Sequence, residues 1–279
     1  MSPPPAMAAV GGPGEVLLEI SDVALTLGGT PILDGVSLQV KDRVRPGVVT
    51  GQVVALLGPS GVGKTRLIRL VAGLDRPDRG TVRGPQGRPL PAGAVGVVFQ
   101  NYPLLRHQTV VDNLIIAGIT NGMPRPEAQS KARALLERFG LGNRLRFYPA
   151  QISGGQRQRA AIAQQLMSQK QLLLMDEPFS GLDPTALEAV IKLLLEVANM
   201  DELNTVVVVT HDIHSAMVVS DTIFMLGRDR SADGKILPGA RIQHCFDLVN
   251  EGLCWRPDIE HDPKFATLER ELRARFQTL

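Results

Sequence analysis

Gly58-Pro59-Ser60-Gly61-Val62-Gly63-Lys64-Thr65 is the stretch on which the fold turns. It fits the pattern G-x-x-x-x-G-K-[ST] at every fixed position. The glycines let the backbone curl until successive N–H groups point inward at phosphate oxygens. A helix starting here adds the positive end of its dipole. Lys64 is placed to reach the outer phosphates, and the Thr65 hydroxyl to ligate Mg²⁺. These eight residues, with Arg66 behind them and Gln100 further along the chain, are the candidate nucleotide-binding set. The flanks agree with that reading. Residues 53–57, Val-Val-Ala-Leu-Leu, form the continuous apolar run of a strand buried on both faces. Residues 66–72 carry Leu67, Ile68, Leu70 and Val71, the pattern of a buried helix, and Gly73 is its stop. A glycine turn arising by chance would come without that strand and helix.

Working outward, residues 15–40 alternate strand-like runs with glycine and proline and predict a small antiparallel sheet. Residues 95–99 read as a further strand. Residues 110–118 and 126–139 read as helices, and no strong strand signal returns before Leu172, so about 101–165 is the candidate helical lobe. Leu172-Leu173-Leu174-Met175 and residues 205–209 are two more buried parallel strands, separated by an apolar-periodic helix over 186–197. Residues 229–279 open with a stretch rich in glycine and proline and close in a charged helix over 263–276. They are read as a carboxy-terminal extension of a domain spanning 15–228.

Two of those strands end in groups with chemistry to offer. Residues 172–175 run into Asp176-Glu177. In open parallel sheets, ligands bind beyond the carboxyl ends of the strands, so these acids arrive where the phosphates lie. Adjacent carboxylates can divide the work: Asp176 to hold Mg²⁺, Glu177 to polarise an attacking water. Residues 205–209 end in Thr210-His211-Asp212, where a histidine can reach a terminal phosphate.

Ser153-Gly154-Gly155-Gln156 narrows the reading. It resembles the signature sequence of ATP-binding cassette (ABC) proteins, with Ile152 where Leu is usual. Phe99-Gln100 resembles their Q-loop, residues 172–178 the Walker B segment, Ser180-Gly181-Leu182-Asp183 the D-loop and His211 the switch histidine. All occur in the family's order between about residues 15 and 227. The resemblance implies an α/β fold: a P-loop NTPase cassette with an amino-terminal antiparallel β-subdomain and a helical lobe. It implies ATP as substrate and Mg²⁺ as cofactor, with Glu177, His211 and Lys64 catalytic and Thr65, Gln100 and Asp176 at the metal. It implies a second cassette, homo- or heterodimeric, whose phosphate loop faces Ser153, Gly154, Gly155 and Gln156 in trans. The remaining partners it implies are a transmembrane permease and a solute-binding protein, with the chain peripheral on the inner face of the membrane. Residues 80–114 are similar to importer cassettes of the nitrate, sulfonate and taurine type. Two rivals are a soluble ABC ATPase of translation or DNA repair and a regulatory cassette that does not hydrolyse. The first usually carries two cassettes or a long coiled coil, neither present here. Intact Lys64, Asp176, Glu177 and His211 argue against the second.

Several positions depart from the pattern. Leu27 stands where an adenine-stacking aromatic is common, Arg66 where a second Thr is common, and Gln164-Gln165 after the signature are unusual. Residues 41–52 are long enough for an extended hairpin. His244, Cys245, Cys254 and His261 match no standard zinc spacing, and Trp255 reads as an anchor of the tail. Arg157 and Arg159 read as solvated or packed against the lobe.

The whole-chain composition restricts the partners. Of 279 residues, 44% are hydrophobic and 21% charged, an ordinary globular balance. A net charge of +2 gives no field pointing to nucleic acid. The apolar runs are strand-sized, far below the roughly 18–20 residues of a membrane span. Residues 1–14 lack a basic start and an apolar core and read as a disordered tail rather than a signal peptide. The chain is therefore expected in the cytoplasm, and its two cysteines fit a reducing compartment.

Overall fold

The computed structural model describes residues 8–10, 14–43, 51–168, 170, 172–198, 205–254 and 258–279. Among them ten strands join one curled sheet. Its amino-terminal part is made of β1 (Ala8–Val10), β2 (Val16–Leu27), β3 (Thr30–Lys41) and, after the phosphate loop, β5 (Arg79–Arg83). β2 pairs antiparallel with β3 and β5. The β2–β3 hairpin closes through Gly28 and Gly29, both at positive φ, as a two-residue turn matched to strand twist requires. Two runs that read separately in sequence, 16–20 and 23–27, are one strand with an irregularity at Asp22, whose φ is 50°.

The other part is parallel. β4 (Gln52–Leu57) lies between β8 (Thr205–Thr210) and β9 (Thr222–Arg230), and β8 continues to β7 (Leu172–Asp176) and β6 (Gly96–Val98). All residues of β4, β7 and β8 are buried, as the continuous apolar runs required. α1 (Lys64–Val71) packs Leu67, Ile68, Leu70 and Val71 on one face of this sheet together with β2 and β3. The opposite face is covered by the helical lobe, namely α2 (Val110–Thr120), α3 (Arg125–Arg138) and α4 (Gly154–Leu166), and by α5 (Pro184–Ala198).

Two findings differ from the sequence reading. β10 (Ile236–Asp247) lies inside the stretch read as an extension, yet it pairs antiparallel with β9 and touches β3 at Ala240–Leu33. A boundary at residue 228 therefore falls within a hairpin. Pro238-Gly239 disguised the strand; both sit at an irregular point where the register shifts between Ile236 and Ala240. β1 lies within the stretch read as a tail. β10 pairs with β3 at Leu33, and β1 pairs with the β3 edge from Leu38 to Val40. The rest of the expected tail, the interior of the expected 41–52 hairpin and Trp255 lie outside the described residues. α6 (Ile213–Val219) and α7 (Pro263–Phe276) complete the fold and pack on each other.

Leu174 in β7 is 1% exposed, in the centre of the sheet. Leu174→Ala removes about three carbons of packed side chain and is expected to lower the unfolding free energy by about 2–5 kcal/mol. Urea unfolding at unchanged slope would read this directly.

Candidate active site

The parallel register brings three strand ends together. Leu57 lies opposite Thr210 on one side and Met225 on the other, and Asp176 lies opposite Val209. The phosphate loop leaves β4 at this level, and Gly58 N–H donates to the Thr210 carbonyl at 3.2 Å. A Cβ on Gly58 would sit 2.5 Å from the Leu226 carbonyl oxygen, so only glycine fits against β9 here. Gly63 has φ 120°, and a Cβ there would lie 2.9 Å from Leu33 and 3.2 Å from Ile32. Gly63 caps α1 without a side-chain partner, which leaves the first N–H groups of the helix open to an anion.

Lys64 is 6% exposed. Its ammonium donates to the carbonyls of Gly58 at 2.7 Å and Pro59 at 3.0 Å and stands 3.3 Å from Glu177 Oε1. Glu177 Oε2 faces His211 Nδ1 at 2.8 Å. A carboxylate can only accept, so Nδ1 carries the proton in this tautomer. Glu177 is thus held between Lys64 and His211. Its backbone is in the left-handed region, φ 51°, fixed by its N–H on the Val209 carbonyl at 2.8 Å. A non-glycine residue there is uncommon, and such strain collects at functional positions.

Behind the loop, Thr65 Oγ1 donates to the Asp176 carboxylate, 2.9 Å from Oδ2. Burial holds the Asp176 carboxyl above its ordinary range. The Thr65 hydrogen bond opposes that shift, the neighbouring Glu177 charge adds to it and Lys64 opposes it. A buried carboxylate beside a hydroxyl is a hard-oxygen donor set suited to a small divalent cation that keeps several waters. Gln100 stands further off, with Nε2 3.5 Å from Ser180 Oγ. Its loop turns back through Tyr102, φ 45°, whose ring packs on the helical-lobe core and whose hydroxyl is pushed up to about 12 by burial.

A cleft of about 500 Å³ opens over these groups, lined among others by Leu27, Ile32, Ser60, Arg66, Gln100 and His211. Leu27 is 38% exposed at its mouth. The signature residues are elsewhere. Ser153 caps α4: its Oγ accepts from Gln156 N–H at 3.3 Å, and Gln156 Oε1 accepts from Ser153 N–H at 3.0 Å. Among the described residues, nothing beyond its own helix turn approaches within 4 Å of a Cβ at Gly154 or Gly155, so this helix end presents itself outward.

The match to known proteins is broad. Residues 42–180 fit the profile of the ABC transporter family. The aliphatic sulfonates import ATP-binding protein SsuB 2 of Burkholderia lata is 36% identical over 280 residues, covering 100% of this chain and 93% of that protein. The chain belongs to the ABC transporter family. The L-cystine transport system ATP-binding protein TcyN of Escherichia coli is 36% identical, covering 76% of this chain and 87% of that one. The sulfate/thiosulfate import ATP-binding protein CysA of Mesostigma viride is also 36% identical, and this chain spans 59% of its length. Among solved structures, a cassette of the cbiONQ transporter complex of Clostridium perfringens superposes with TM-score 0.71 at 23% identity, covering 95% of this chain and 98% of that one. A dimeric ATP-binding cassette bound to ADP and phosphate superposes with TM-score 0.66 at 27% identity, covering 83% and 99%.

The departures of this cassette from its family have structural explanations. Gln165 Oε1 accepts from Val97 N–H of edge strand β6, and Gln164 donates to the Asn113 carbonyl of α2, so the pair staples α4 to its neighbours. Arg159 donates to the Phe139 carbonyl within the lobe, while Arg157 is exposed. Two supports escaped the sequence reading. Arg228 Nη2 donates to the Gly61 carbonyl at 3.1 Å, bracing the phosphate loop from β9. Asp212 caps α6 through His214 and Ser215 N–H groups and so fixes the turn that carries His211. The second was legible as an Asp before a short helix; the first had no sequence signal.

Gly63→Ala combines a strained φ with collision against Leu33. A strain of about 1–3 kcal/mol would distort the loop and weaken binding of inorganic triphosphate about five- to hundredfold. Calorimetric titration checks this, with circular dichroism to confirm an intact fold.

Proposed function

We propose that this chain hydrolyses ATP as the energy-supplying subunit of an ABC importer. The observation that carries the reading is Glu177, held at a left-handed backbone position between Lys64 and His211 and beside the Thr65–Asp176 pair. In this reading the N–H groups of residues 60–65 and the Lys64 ammonium hold the phosphates of the nucleotide. Thr65 and Asp176, with Gln100 across the cleft, hold Mg²⁺, which when bound neutralises developing charge on the phosphate oxygens. Glu177 accepts the proton of the attacking water, and His211, oriented by Glu177, faces the terminal phosphate. Glu177 and the terminal phosphate compete for Lys64, so nucleotide entry releases the carboxylate for water.

The outward cap at Ser153, with Gly154, Gly155 and Gln156, supports a second cassette across the nucleotide. In that sandwich the α4 amino terminus of one subunit meets the phosphates held by the other. No helix among the described residues is long and apolar enough to cross a membrane. In this reading a separate permease docks on the lobe of about residues 101–165, with the chain peripheral to the inner face of the membrane. A solute-binding protein would deliver the cargo. The relatives' names cover sulfate or thiosulfate, aliphatic sulfonates, L-cystine and methionine, and do not single out nitrate. The near full-length match to the sulfonate protein favours a small anionic solute such as a sulfonate.

Glu177→Gln keeps the shape of the side chain but removes the base. Nucleotide binding and a nucleotide-dependent dimer, seen by light scattering with Mg-ATP, are expected to persist while phosphate release falls about 10²- to 10⁴-fold. Wild-type turnover in this variant would overturn the assignment.

Leu27 and Ile32 offer the base dispersion contact without a ring face. Base–aromatic stacking is worth about 1–3 kcal/mol, and an aliphatic recovers part of it. ATP and GTP are therefore expected to bind with similar affinity, and Leu27→Tyr to bind both about fivefold more tightly. Parallel titrations of the two nucleotides measure this; a strong ATP preference in the wild type would place the base elsewhere.

A further inference from the structure

Gln158 lies on α4, one and a half turns beyond the exposed cap Ser153, and its side chain is fully buried. Its Nε2 donates to the Pro178 carbonyl at 2.8 Å. Its Oε1 is buried and has no hydrogen-bond partner among the described residues. The orientation of the amide follows from chemistry, because only the nitrogen can donate to a carbonyl. This bond joins a lobe helix to the residue directly after Glu177.

Side chains hold the Glu177–Ser180 turn through Lys64 and His211 on Glu177, Gln100 on Ser180 and the buried Phe179, but its backbone has few hydrogen bonds to the rest of the protein. Glu177 N–H is spent on the Val209 carbonyl, and Ser180 N–H closes the turn on the Glu177 carbonyl at 3.2 Å. Pro178 has no N–H, so its hydrogen-bonding tie to the rest of the protein is its carbonyl. On the α4 side the anchoring is dense: Arg159 to Phe139, Gln164 to Asn113 and Gln165 to Val97 bind this helix to α3, α2 and β6. A helix moves as a rod over such a distance, so a displacement of the lobe at Ser153 arrives at Gln158 and pulls on Pro178. The unpaired Oε1 leaves the joint half satisfied.

We propose that Gln158 is a positioning residue that carries the placement of the helical lobe to Glu177 through the Pro178 carbonyl. It is fully buried and does not line the cleft; it sets where the Glu177 carboxylate stands. The inference rests on the reading of Glu177 as the base.

The test uses the full chain with Gln158→Met, which keeps length but cannot donate, and Gln158→Glu, whose donation depends on pH. Nucleotide affinity and the rate of phosphate release are measured from about pH 5.5 to about pH 8.5, since a buried carboxyl titrates above its ordinary value. Gln158→Met is expected to lower kcat about tenfold while nucleotide affinity stays within about twofold of wild type. Gln158→Glu is expected to be equally slow at high pH, where a carboxylate faces the carbonyl. It should recover relative to wild type as pH falls and the carboxyl gains a proton to donate. Wild-type kcat in both variants at every pH would overturn the proposal, as would loss of affinity in proportion to kcat with no pH-dependent recovery. Should Gln158→Met not fold, the pH series on Gln158→Glu decides alone, because each sample is its own control. Glu177→Gln is assayed in parallel. If it turns over normally, the base assignment fails; if it is inactive while the Gln158 variants are normal, only the coupling fails.

Discussion

Leu57 stands level with Thr210 on one neighbouring strand and Met225 on the other, and the site depends on that register. Side chains along a strand alternate faces, so a slip of one residue in β4 or β8 would exchange the sets packed on its two faces. Because β4, β7 and β8 are buried on both faces, such a slip would set every side chain against neighbours it does not fit. The register fixes where the chain must turn: after Leu57 into the phosphate loop, after Asp176 into Glu177, after Thr210 into His211. The distances of the site, 3.3 Å from Lys64 to Glu177 and 2.8 Å from Glu177 to His211, follow from three strands ending at one height.

The charges at this edge are arranged to be displaced. Lys64 is nearly enclosed, yet two of its three donors go to carbonyls of its own loop and it faces Glu177. Asp176 is buried with a hydroxyl as its hydrogen-bond donor, and burial holds its carboxyl above the ordinary range. A group of anions and a cation entering together would satisfy both, because phosphate oxygens replace Glu177 at Lys64 and the cation compensates Asp176.

Residues whose task is local were legible in the sequence. The phosphate loop, the strand before it and the helix after it are each encoded within a few residues, and the Ser153/Gln156 pair is a capping box written in adjacent text. Long-range contacts were not legible. Arg228 supports Gly61 from a position 167 residues away, and neither residue marks the other. β10 went unread because Pro238-Gly239 is loop vocabulary; its pairing is decided by the open edge of β9, a tertiary fact. Gln158 reads as an ordinary polar position on a helix, and only the packing of α4 against the Glu177 turn reveals that it is enclosed.

The same reasoning bears on residues 229–279. Their helix α7 packs Phe265 and Leu272 into a core shared with β4, α6 and β9. His214 on α6, three residues beyond His211, meets Glu260 at 3.0 Å and the edge of Phe265. Arg230 Nε donates to the Thr278 carbonyl at 3.2 Å, and a Cβ on Gly227 would strike Leu279, so the chain beyond α7 lies directly on β9 beside Arg228. These contacts fall on the elements that lead from His211 and brace the glycine-rich loop. A segment that merely trailed from the domain would have no reason to bury its apolar face there, since any exposed flank of the sheet would offer comparable area. Its position places the carboxy-terminal helix in mechanical series with the site: α7 holds α6, α6 begins at the Asp212 cap, and that cap sets the turn from which His211 reaches Glu177.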